Sequence, residues 1–267
     1  MAITTLDGVI AGMQSPTDFM KVATPTLVAG RPHSLFYLAG VPGAAVAPTS
    51  GLAGGALTTY AGQLPFTNPT SGNTYLSRLQ AQSTGAGTLL LCDRLWHNSG
   101  FTITSTAAQT VNSAAWPARS ADGTINGAEV QIGVEVSVAT GAAAPTFSMS
   151  YTNSAGTAAK TGTGILTGVS TSAIGAFYPM GLAAGDVGVR SVQTFTLSAS
   201  WVSGTIHLVA YRVLARLELS TAASPSAMDC LTSGFPRLYD NTVPFFLFLP
   251  GSTVVSNITG NMVVTQG

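Results

Sequence analysis

The chain has 267 residues, with 10 Lys and Arg against 10 Asp and Glu, so the net charge is zero and only 7% of residues are charged. Soluble domains average about 25% charged residues; without a basic excess, neither counterion release on nucleic acid nor a polybasic membrane patch is expected. With 46% hydrophobic residues the chain is not disordered, and a surface so poor in repelling charge calls for burial against sister copies or other proteins.

The first segment reads as helix. Leu6, Val9, Ile10 and Met13 follow the i, i+3, i+4, i+7 spacing of one helical face, with Thr4 or Thr5 as cap. Ser15, Pro16 and Asp18 then look like a second helix start, with Phe19, Met20 and Val22 as anchors. Both helices are too short to hold alone in water. Residues 32–77 carry no Asp, Glu, Lys or Arg but many prolines and glycines, together with Leu35, Phe36, Tyr37 and Leu38. A long irregular segment of this kind is functional or disordered; it reads as an extended arm lying on a partner. The alternative is a strand pair packed on the chain's own core. Leu6, Val9, Ile10, Met13, Phe19, Leu35, Phe36 and Tyr37 are the candidate partner-contact residues.

From about residue 84 strand signals become regular. Val130 to Val138 alternates apolar and polar residues, the mark of a half-buried strand, and Phe147, Met149 and Tyr151 alternate likewise before the turn Asn153-Ser154-Ala155-Gly156. Thr205 to Leu219 is apolar on both faces in its first half, as a central strand should be. Phe245-Phe246-Leu247-Phe248-Leu249, between Pro244 and Pro250, would template aggregation if exposed, so it is assigned to the interior. Val254 to Val264 makes a last strand. Eight to ten strands after residue 84, without αβ alternation, predict an all-β fold: a jelly-roll-like β-sandwich over 81–267, carrying an arm of short helices and extended chain over 1–80.

Residues 241–267 are uncharged but broken by Pro244, Pro250, Gly251 and Gly260, and a spanning helix needs about 20 apolar residues in a row. The start, Met1 to Asp7, lacks the basic and apolar regions of a signal peptide. In a reducing compartment Cys92 and Cys230 are expected as free thiols. Asn257-Ile258-Thr259 matches a glycosylation sequon but reads as a polar turn.

Chemistry is sparse. Cys92-Asp93-Arg94-Leu95-Trp96-His97 is the densest reactive cluster. On a helix Asp93 and His97 could share a metal; on a strand, favoured by the preceding leucines, they lie about 13 Å apart, and Asp93 is read as the local ion-pair partner of Arg94. His33 and His207 lack ligands at metal spacing. The run Gly162 to Gly168 misses both nucleotide-binding glycine patterns and reads as a flexible loop. No nucleophile elbow or local pair of carboxylates marks a hydrolase. No cofactor, metal or catalytic residue is assigned, and the chain is expected not to be an enzyme.

Three blocks carry a likeness: Thr5 to Gln14, Pro25 to Leu35, and Leu89 to His97. They resemble tailed-bacteriophage structural proteins from the head-gene region, clearly over the first 100 residues and by composition thereafter. The resemblance implies a capsid decoration (cement) protein, a β-sandwich grouped as a homotrimer. It would bridge major capsid subunits on the surface of a virion assembled in the host cytoplasm. A tail or fibre-base component, and a glycan-binding module for host recognition, are the alternatives.

Overall fold

A computed structural model describes residues 3–267. Along the chain come α1 (Leu6–Ala11), β1 (Thr17–Lys21), β2 (His33–Ser34), β3 (Gly40–Val41), β4 (Gly55–Ala56), β5 (Thr74–Ser83), β6 (Gly87–His97), β7 (Gln109–Thr110), β8 (Gln131–Val138), β9 (Phe147–Asn153) and β10 (Lys160–Gly164). Then follow β11 (Phe177–Gly181), β12 (Val189–Leu197), β13 (Thr205–Leu219), β14 (Ser226–Asp229), α2 (Cys230–Ser233), β15 (Arg237–Leu238), β16 (Pro244–Pro250) and β17 (Ile258–Gln266). The fold is all-β, and the described strands pair antiparallel. The chain divides into two compact units. One holds the residues up to Ala45 with Thr59–Asp93 and Val213–Gly267; the other holds Val46–Thr58 and Arg94–Arg212.

The first unit is a sandwich. One sheet runs β14-β5-β17-β1-β3, with β15 also on β5. Facing it, β16 pairs with β6 from Pro244↔Asp93 to Pro250↔Gly87, and β2 adds Ser34↔Leu247 and His33↔Phe248. Proline at each end of β16 leaves the inner ladder intact. Phe19, Leu76, Leu79, Ile258 and Met262 from one layer meet Leu89, Leu91, Phe246 and Phe248 from the other; the Phe19 and Phe246 rings are 4.4 Å apart. Phe246 and Phe248 share this face because they are two apart on a strand.

In the second unit, residues 205–211 of β13 pair with β8, and the order continues β8-β11-β10-β9-β12-β7. The sheet curls, so Ile132, Val134 and Val136 of β8 share one core with Phe147 and Met149 of β9 and Phe195 of β12. Trp201 packs on Phe147 at 5.5 Å between ring centres. The turn after β9 closes with Gly156 N–H donating to Asn153 O at 2.9 Å, Gly156 taking φ +86°.

Several expectations are corrected. Among the described residues, 3–80 do not form an extended arm. In this segment β1 pairs with β17 and β2 with β16, so it is woven into the first unit. The uncharged stretch is apolar because it covers the chain's own phenylalanines. The expected second helix is strand β1: pairing from Thr17↔Met262 to Lys21↔Ile258 overrides the Ser15-Pro16 start signal and turns Phe19 inward. Twelve strands, not eight to ten, begin after residue 84, and the last is Ile258–Gln266. Gly162 and Gly164 sit in β10 rather than a loop. Their glycine character follows from crowding, since a Cβ at Gly162 would lie 2.6 Å from Met149 Cε and one at Gly164 2.8 Å from Phe147 Cδ2. β8 is buried on both faces, not one.

Candidate functional site

The first unit presents an apolar groove. Thr5 caps α1, its hydroxyl accepting from Gly8 N–H at 3.1 Å. The helix is anchored on β17: Thr265 Oγ1 donates to Val9 O at 2.8 Å, and Gln266 N–H donates to Gly12 O at 2.9 Å. The approach is so close that a Cβ on Gly12 would meet Thr265 Oγ1 at 2.7 Å. Only Val9 of the helix is buried. Leu6, Ile10 and Met13 stay 66%, 58% and 46% exposed.

Nearby, Asp229 caps α2, accepting from Leu231 and Thr232 N–H, while the Thr232 hydroxyl accepts from Asp229 N–H. This cap holds Leu231 outward, 86% exposed. Phe235 packs edge-on to Tyr75 at 5.6 Å. Leu6, Val9, Tyr75, Cys230, Leu231 and Phe235 line a groove of about 420 Å³ that has no charged side chain in its lining. An apolar concavity without charge can bury a partner's apolar side chains, and it offers little to a charged ligand.

The eight candidate contacts therefore separate. Leu6 and Val9 line the groove, and Ile10 and Met13 stand exposed on or just after the same helix. Phe19, Leu35 and Phe36 are covered by the chain itself. Phe36 packs against Phe245 at 5.8 Å and Tyr37, half-buried, against Phe36 at 5.8 Å. Contact with a partner through Phe19, Leu35 and Phe36 is corrected: Phe19 on β1 and Leu35 just after β2 lie in the sandwich core, and Phe36 is buried against Phe245. Cys230, Leu231 and Phe235 were missed; the capping pair Asp229 and Thr232, three apart and followed by Gly234, was the available signal.

A second concavity, about 580 Å³, lies on the outer face of the same sheet, lined by Asp18, Met20, Gln80, Gln82, Thr259 and Asn261 among others. Register explains the row: Asp18 is opposite Asn261, and Asn261 opposite Gln80.

The second unit buries a polar network on the face of β8 opposite its apolar one. Arg94 donates to Glu135 with both terminal nitrogens, at 3.0 and 2.6 Å, and with Nε to His97 Nδ1 at 3.2 Å. Arg119 donates to Leu57 O at 2.7 Å and Arg94 O at 3.2 Å. Ser137 meets His207 Nε2 at 2.6 Å, and His207 Nδ1 meets Asn98 O at 2.7 Å. Arg94, Glu135 and His207 are fully buried. Such a network, satisfied and out of water, fixes strand register. The expected Asp93–Arg94 pair is corrected: neighbours on a strand face opposite ways, so Arg94 meets Glu135 while Asp93 Oδ1 accepts from Val243 N–H at 2.9 Å. Among the described residues no group of three metal-ligating side chains comes together, and Cys92 and Cys230 are free thiols. No helix among them is long and apolar enough to cross a membrane.

No family model matches the chain, and no curated protein does. Among solved structures it is similar to the infectious bursal disease virus VP2 subviral particle, with 10% identity over 96% of this chain and 81% of that one, at a TM-score of 0.21. The Gt strain structure of the same virus matches at 10% identity over 95% and 82%, also at 0.21. A TM-score this low assigns no fold.

Proposed function

We infer that this protein is a structural virion subunit that decorates a phage capsid and stabilises it by bridging major capsid subunits. The observation that carries the reading is the uncharged groove rimmed by exposed Leu6 and Leu231, beside exposed Ile10 and Met13, in a chain with only 7% charged residues. Each apolar side chain taken fully out of water contributes roughly 1.5–3 kcal/mol. A subunit that binds only the assembled lattice stabilises it by mass action. The role is non-catalytic, with no cofactor, and the working form on the particle is a homotrimer. Sedimentation of purified particles with Leu6→Asp and Leu231→Asp variants tests it: loss of binding with an unchanged β signal in circular dichroism supports the reading, and full binding by both variants refutes it.

The amide row at Gln80, Gln82 and Asn261 favours one alternative, a glycan-binding face, since amides and the Asp18 carboxylate suit sugar hydroxyls. It predicts glycan retention by wild type that is lost in Gln80→Ala and Asn261→Ala.

A further inference from the structure

The second unit holds two histidines whose tautomers are fixed by their partners. Arg94 Nε can only donate, so His97 Nδ1 accepts at 3.2 Å and its proton sits on Nε2. Asn98 O can only accept, so His207 carries its proton on Nδ1, and Nε2 accepts from the Ser137 hydroxyl at 2.6 Å. The two sites answer acid differently. If His207 gains a proton, Ser137 turns its hydroxyl and accepts instead; the contact survives. If His97 gains a proton on Nδ1, two donors and two positive charges face each other across the Arg94 contact. Arg94 cannot turn away without releasing Glu135, to which its other two nitrogens are bound.

We propose that His97 is an acid-sensitive latch: its neutral imidazole holds Arg94 in place, and because only the opened second unit lets the ring take up a proton, acid favours the opened form in which Arg94 and Glu135 part. Arg94 on its own strand and His207 on β13 act on the His97 ring; Arg94 is held in turn by Glu135 on β8, and Arg119 donates to the Arg94 carbonyl. Both Arg94 and His207 oppose a positive charge on the ring. Burial, then Arg94, then His207 push the His97 pKa down from 6.5 to about 2. Burial also lowers that of His207, opposed by Glu135. The sign follows. An unfolded histidine takes up its proton near pH 6.5 while the folded His97 does not. The stability held by the neutral ring is complete above about pH 6.5 and is lost as pH falls below it.

The protein carries its own readout. Its three tryptophans, Trp96, Trp116 and Trp201, are buried in this unit, and Trp96 adjoins His97 and stacks edge-on with Trp116 at 5.2 Å. Tryptophan emission of the full chain is followed from pH 7.5 to 4. The expected result is a red shift with its midpoint above the carboxylate range of about pH 4.5. In His97→Gln, whose amide oxygen still accepts from Arg94 but does not titrate, the midpoint falls by about half a unit or more. His207→Gln moves it less. Superposed wild-type and His97→Gln profiles, or a larger effect of His207→Gln, overturn the proposal. Should His97→Gln not fold at pH 7.5, ¹⁵N spectra of the wild-type imidazoles decide. The latch requires an Nε2–H tautomer at His97 that stays neutral until the emission changes. A ring titrating near pH 6.5 with unchanged emission overturns it.

Discussion

At the scale of single residues, the buried charges are the sharpest probes. Arg94→Met removes the bidentate guanidinium partner of the buried Glu135 carboxylate, which should cost about 3–5 kcal/mol. Replacing both, Arg94→Met with Glu135→Met, should recover most of that loss, because an apolar pair of similar volume needs no hydration. Urea unfolding followed by tryptophan emission measures both. Lys21 makes a second case. Its ammonium is buried in the first unit and donates to Leu38 O at 3.2 Å and Pro42 O at 2.7 Å. Lys21→Met leaves those carbonyls unmet, at about 1–3 kcal/mol. Burial lowers the Lys21 pKa from 10.5 to about 8. Between these values the unfolded lysine holds its proton while the folded one sheds it, so wild-type stability relative to Lys21→Met should rise from about pH 8 to 10.5. Parallel melts across that range check the slope. Phe248→Ala, in the first core, should cost about 3–5 kcal/mol, read from its melting temperature.

Elements tell how much the amino-acid order reveals. β16 was legible because five apolar residues between two prolines admit only an interior strand. β9 was legible from its alternation, which matches its buried and half-buried pattern. β8 was half legible: alternation located it, yet Glu135 and Ser137 read as solvent-facing because their partners, Arg94 and His207, lie 41 and 70 residues away. Local pattern carries no trace of a partner at that separation. β1 was misread for a related reason, since its strand state is imposed by β17 at the other end of the sequence. Of the groove and the exposed apolar residues beside it, Leu6, Val9, Ile10 and Met13 were legible by helical spacing, whereas Leu231 enters only through the tertiary position of α2. The elements also set where truncation is tolerated. A chain beginning at Gln14 loses α1 but keeps β1, and should retain the β signal while losing particle binding. One beginning at Arg31 also loses β1, uncovering the β17 edge and Ile258, and should melt well below the first. Circular dichroism melts of the two truncations test the contrast.

The whole molecule is defined by scarcity of charge. Attraction between exposed ions weakens once salt shortens the Debye length from about 10 Å at 0.1 M to 3 Å at 1 M, but apolar burial does not. On the proposed role, particle binding through the uncharged groove should therefore change little between 0.1 and 1 M sodium chloride, and a steep loss would mean that ionic contacts dominate. A surface with zero net charge should likewise favour association of the free protein near neutral pH, which light scattering at rising concentration can follow.

The division of the chain has a consequence for its synthesis. The second unit draws only on residues 46–58 and 94–212, whereas the first waits for Val213–Gly267. Its sheet needs β17 between β5 and β1, so a ribosome must travel about 240 residues beyond β1 before that strand finds its partner. At roughly 5–20 residues per second, β1 stays without its ladder for more than ten seconds, while the second unit can already be compact. The nascent chain therefore passes through a stage with one unit closed and Phe19 uncovered, the stage at which a chaperone or a sister chain can seize it. Ribosome-arrested chains ending near residue 250 should show a protease-resistant second unit and a cleavable segment around Lys21.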